Sequence, residues 1–168
     1  MSSNDLLMDA FDRIRDAVYP AVNGLSFDEL TFRIDDGSNS IAWLVWHLTR
    51  IQDDYLAQLE GRQEVWLANG WFDRFDLPLD PGDTGYGHGP DDSAKVAADA
   101  SLLLAYFEDV HGQTMPFVRA LEESELARVV DQSWDPPVTV SGRLVSVIAD
   151  DLQHVGQAAY VRGVLQRR

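Results

Sequence analysis

Asp150-Asp151-Leu152-Gln153-His154-Val155-Gly156-Gln157 lies in a run where Val147, Asp151, His154, Ala158, Val161 and Leu165 recur at alternating steps of four and three. That spacing is the seam of a helix in a bundle. The seam carries a carboxylate and an imidazole where a bundle core holds apolar side chains. Its counterpart is Ser40-Ile41-Ala42-Trp43-Leu44-Val45-Trp46-His47-Leu48. There Ile41, Leu44, Leu48, Ile51, Tyr55 and Leu59 share a helical face with His47, and Gly61 stops the helix after Glu60. An imidazole on an apolar face needs a polar partner. A buried carboxylate supplies one, and a metal ion supplies another.

Working outward, Leu7, Ala10, Phe11, Ile14, Val18, Ala21 and Val22 mark one face of a first helix, which Asn23-Gly24 ends. Ser26 to Glu29 has capping-box spacing and predicts a short helical turn. Ser38 or Asn39 is the expected N-cap of the second helix. Between Arg62 and Pro90 the periodicity fades into a segment with Trp66, Trp71, Phe72 and Phe75, followed by prolines and glycines. A connection so long and aromatic suggests a lid or binding loop. A third helix is expected from Asp92-Ser93 to about Leu121, kinked or broken at Pro116. Trp134 to Val138 must be irregular or extended, and Ser141 is the expected cap of the last helix. Four helices without convincing strand alternation predict an all-α four-helix bundle with a long connection between its second and third helices.

Residues 1–168 are expected to form a single domain, since the soft length prior is about 150 residues per domain. No apolar run approaches the roughly 18 residues of a membrane span, and no signal peptide is recognisable, so a soluble cytoplasmic protein is expected. Twenty-eight acidic against thirteen basic residues give a formal charge of −15, which argues against nucleic-acid and anionic-membrane partners. The chain has no cysteine, which excludes disulfides, thiolate ligands and a cysteine nucleophile. Any thiol chemistry must arrive with a substrate.

Asp150 and His154, one turn apart, project from one side of the last helix and can share an ion. Asp151 is a rival carboxylate, being three residues from His154 and better placed in the seam. His47 is the candidate third ligand. Two nitrogens and one oxygen suit zinc, nickel or ferrous iron, and three protein ligands leave positions open for water or substrate.

Ser40 to Leu48, followed by Asp150-x-x-x-His154-x-Gly156-Gln157, resembles the DinB-like superfamily, which includes mycothiol-dependent maleylpyruvate isomerase and bacillithiol transferases. The resemblance spans essentially the whole chain and is nearest to small actinobacterial members. It implies a DinB-like bundle with a divalent metal on His47, Asp150 and His154, and it favours Asp150 over Asp151. Most members carry histidine at the Asp150 position, whereas the mycothiol-dependent isomerase carries glutamate. The resemblance further implies a transferase or isomerase acting on a small-molecule thiol, such as mycothiol, and an electrophile, with a homodimer as the expected assembly. A hydrolase or oxygenase using the same ligands, or a non-catalytic binding protein, is the competing reading.

Other polar residues have simpler explanations. Gly156 is expected at a close helix contact and Gln157 in an interhelical hydrogen bond. Asp53 and Asp54 read as a solvated acidic pair, His88 as an exposed loop histidine, and His111 as structural. The tryptophans read as core and loop anchors.

Overall fold

The computed structural model describes residues 2–168. Four long helices dominate it: α1 (Ser3–Val22), α3 (Ile41–Glu60), α7 (Ala100–Ala120) and α8 (Val140–Leu165). Four short helices lie in the connections: α2 (Phe27–Thr31), α4 (Val65–Ala68), α5 (Trp71–Phe75) and α6 (Pro90–Ser93). The bundle neighbours are α3 with α8, α8 with α1, α1 with α7, and α7 with α3. The consecutive helices α1 and α3 are therefore diagonal, as are α7 and α8. The long connection after α3 joins adjacent helices, and the diagonal steps are made by residues 23–40 and 121–139. The all-α four-helix bundle expected from the periodicity is the fold found.

Each long helix is closed by the side chains its termini require. Ser2 and Asp5 form a capping box on α1. Ser40, rather than Ser38 or Asn39, caps α3 by accepting from the Trp43 amide at 3.1 Å. Thr139, rather than Ser141, caps α8 through the Gly142 amide. The third long helix starts at Ala100 with Asp99 accepting from the Leu102 amide, not at Asp92-Ser93. The apolar spacing that suggested an earlier start belongs to Val96 and Ala98, which anchor an irregular segment in the core. Pro116 does not break α7. It sits near the C-terminal end, where its missing amide removes one ladder bond. Val129–Asp131 and Val138–Thr139 form a minimal antiparallel pair, too short to leave an alternating pattern.

The core explains why α3 is apolar almost all round. Every residue from Ile41 to Asp53 is buried, because the bundle covers one side of α3 and the connection to α7 covers the other. Trp66, Trp71 and Phe75 of that connection belong to the same hydrophobic cluster as Phe11, Leu44, Phe107 and Val147. The aromatic segment is thus a packed wall of the core, at odds with a mobile lid. Among the described residues no helix is long and apolar enough to cross a membrane.

Burying α3 also buries its polar residues, and most of their polar atoms are paired, Arg50 Nη2 and Gln52 Oε1 being exceptions. Asp53, expected in solvent, is wholly enclosed; it accepts from the amides of Val65 (2.9 Å) and Trp66 (2.7 Å) and from the Tyr106 hydroxyl (3.0 Å). It serves as the cap that α4 lacks in its own sequence. Arg50 lies 3.8 Å from it, also fully buried. Asp54 stays at the surface, bonded by Gln58. Removing the buried Asp53 charge leaves two amides and the Tyr106 hydroxyl without their acceptor and Arg50 with Glu64 as its remaining counter-ion, so Asp53→Ala should cost about 3–5 kcal/mol of stability. Equilibrium urea unfolding against Asp54→Ala, expected within about 0.5 kcal/mol of wild type, measures the difference.

Candidate metal centre

The antiparallel run of α3 and α8 brings His47 opposite Asp150 and His154. One ligand atom from each of these three residues lies within 4.8 Å of the others. His47 Nε2 is 3.9 Å from Asp150 Oδ2, and His154 Nε2 is 3.5 Å from Asp150 Oδ1. His47 is buried, while the Asp150 and His154 side chains are 32% and 18% exposed. The cluster is closed on the α3 side and open along α8.

Both imidazoles are held with Nε2 facing the cluster. The Thr84 carbonyl sits 2.5 Å from His47 Nδ1 and can only accept, so that nitrogen carries the proton. Gln157 Oε1 plays the same part for His154 Nδ1 at 3.0 Å. Gln157 thus bonds within its own helix and not across to another. The Trp43 ring stacks on His47 at 4.5 Å and meets His154 edge-on, which fixes the ring planes. Burial lowers the His47 pKa against the opposing pull of Thr84 and Asp150. Burial also disfavours charge on His154, but hydrogen bonds to Asp150 and Gln157 outweigh it and raise that pKa.

Asp150 Oδ2 is buried without a hydrogen-bond partner. A carboxylate with one orphaned oxygen, set near the Nε2 lone pairs of two imidazoles, is an arrangement that a cation completes. Asp151, the rival ligand, turns into the core with both oxygens unpaired and its pKa pushed well above the carboxylate range, first by burial and then by Asp150. It lies outside the cluster.

The surrounding residues depart from their sequence reading in three places. His88 is not exposed: its Nδ1 accepts from Trp43 Nε1 at 3.1 Å, its Nε2–H donates to Asp83 at 3.0 Å, and it stacks on Trp46. Gly156 makes no close contact, since an added Cβ would meet nothing within 4 Å. It instead opens a groove of about 460 Å³, lined by Ser38, Asn39, Leu44, Gln153, Gly156, Gln157, Tyr160 and Val161. Gly85 reads from sequence only as part of a flexible glycine-rich stretch, 85–89, and nothing in the sequence marks Thr84. Gly85 adopts φ +87°, and a Cβ there would lie 2.8 Å from His47 Nδ1 and 2.9 Å from Trp46. Only glycine lets the loop approach this closely. His111 is structural as expected, buried on Phe107 and 3.3 Å from Asp12. Trp43, Trp46, Trp66 and Trp71 are core anchors, whereas Trp134 is exposed.

Comparison with known proteins agrees with this fold. Residues 10–158 match the model of the DinB superfamily. No curated protein matches the chain. A conserved protein from Enterococcus faecalis has a similar structure, with a TM-score of 0.93 and 30% identity over 100% of this chain and 99% of that one. YfiT from Bacillus subtilis, described as a probable metal-dependent hydrolase with an unusual four-helix bundle topology, shares the fold. Its TM-score is 0.63 and its identity 17%, over 99% of this chain and 90% of that one. The matched family region includes His47, Asp150 and His154, and the chain belongs to the DinB superfamily.

Proposed function

We propose that the protein holds a divalent metal ion, zinc in the first instance, on His47, Asp150 and His154, and acts as a transferase or isomerase on a low-molecular-weight thiol such as mycothiol. The observation that carries the metal reading is the Asp150 carboxylate, with one oxygen unpaired, gathered with the Nε2 atoms of His47 and His154. An ion bound there would favour the thiolate form of an incoming thiol at neutral pH. The chain's own residues do the rest. His47 is immobilised by Trp43 and Thr84. Asp150 and His154 border the open side, so substrate approaches along α8.

The groove beside Gln157 supports a neutral thiol carrier. Its lining has amides, hydroxyls and apolar groups but no charged side chain. Such a surface hydrogen-bonds the sugar hydroxyls and amides of mycothiol, and offers no cation to the carboxylates of glutathione or bacillithiol. Because the protein lacks cysteine, the sulfur nucleophile has to be the substrate's own.

Untagged protein is expected to carry about one metal equivalent per chain by elemental analysis, with His47→Ala falling well below half. Metal-replete protein should consume mycothiol ahead of bacillithiol and glutathione with a panel of electrophiles, and His154→Ala should not. Hydrolysis of esters or amides without thiol, a chemistry that the description of YfiT suggests, would replace the thiol reading and leave the metal reading standing.

Protons compete with metal for the imidazoles, so affinity must rise with pH. His154 titrates above the ordinary value of 6.5 and His47 below it. Zinc affinity should therefore fall about tenfold per unit once the pH drops into the His154 range, and more steeply where His47 also protonates. Zinc competition titrations from about pH 8 to about pH 5.5 read this slope, and a flat profile would contradict histidine ligation.

A further inference from the structure

The fully buried Arg50 lies one turn beyond His47 on α3. Its Nε donates to the Asp83 carbonyl at 3.1 Å, its Nη1 bonds both Glu64 and Tyr106, and its Nη2 is buried without a partner. Asp83 begins the loop whose next carbonyl, that of Thr84, fixes the His47 proton. The Asp83 carboxylate in turn accepts from the Gly85 amide at 2.8 Å and from His88. His88 ties the loop back to Trp43, the ring stacked on His47. The loop is thus pinned at both ends to the helix that presents His47.

We propose that Arg50 is a positioning residue of the metal centre. Through the Asp83 backbone it holds the Thr84 carbonyl against His47 Nδ1, and so keeps the Nε2 lone pair directed at Asp150 and His154. A buried arginine could be explained by Asp53 and Glu64 alone. Its bond to a loop carbonyl adjoining the one that His47 uses requires more. The loop has no slack, because Gly85 already lies where a single Cβ would strike His47 and Trp46. A fork is needed here, since one nitrogen serves Glu64 and Tyr106 while another serves Asp83.

The decisive variant is Arg50→Lys, which keeps a buried cation for Glu64 but has no second nitrogen for Asp83. Its comparator is Tyr106→Phe, which disturbs the same buried cluster without touching the loop. Nitrogen–proton correlation spectra of the metal-free protein at neutral pH report the His47 tautomer. Zinc titration reports affinity and rests on the metal reading above. Wild type should show His47 protonated at Nδ1 alone. Arg50→Lys should show a mixture of tautomers and bind zinc about tenfold or more weakly. Tyr106→Phe should lose thermal stability but change neither readout. Gly85→Ala, which displaces the loop with Arg50 intact, should repeat the Arg50→Lys pattern, and it stands in if that variant does not fold. A pure Nδ1 tautomer in Arg50→Lys, or in Gly85→Ala in its place, would overturn the proposal, as would equal effects from Tyr106→Phe. If wild type takes up no zinc, the metal reading fails, and the tautomer spectra alone decide the role of Arg50.

Discussion

The packing of α3 against α8 is the contact on which the rest of the molecule depends. It sets Leu44 beside Gly156 and Tyr160, His47 beside Asp150 and His154, and Tyr55 beneath Arg143. These pairings run in opposite directions along the two helices, so a slip of one residue in either would rotate its ligands out of the cluster. The diagonal links before α3 and after α7 let these two helices be neighbours although 79 residues separate Glu60 from Val140. With the contact formed, one helix contributes a rigid buried imidazole and the other two partly exposed ligands.

Enclosing α3 from both sides has a cost that the structure meets unevenly. Arg50, Asp53, Gln52 and Thr114 find partners among themselves and on α4 and α7. Asp151 finds none, and it is most readily buried in its neutral form. The carboxylates in sequence at 150 and 151 therefore occupy opposite regimes, one bordering solvent and the candidate metal cluster, the other sealed in the seam. A hundred-degree turn between neighbours on a helix is what separates them.

Much of this was legible in the residues. The four-and-three spacing of α8 and the apolar face of α3 identified the bundle, and the family pattern selected Asp150 over Asp151 where periodicity alone pointed the other way. Two of the misread residues, His88 and Asp53, share a physical cause: their partners are distant in sequence. His88 in a glycine-rich stretch reads as a loop tip until Trp43 and Trp46, more than forty positions earlier, enclose it. Asp53 reads as solvated until the amides of Val65 and Trp66 close on it. Thr84 acts through its backbone carbonyl, which no side-chain pattern can signal.

The most direct test is anomalous diffraction at the zinc edge from crystals of zinc-loaded protein. One peak bounded by His47 Nε2, the Asp150 carboxylate and His154 Nε2 is expected, with the Thr84 carbonyl still on His47 Nδ1. Zinc bound elsewhere, for example between Asp83 and His88, or no ordered zinc among the three residues, would contradict the assignment of the metal centre.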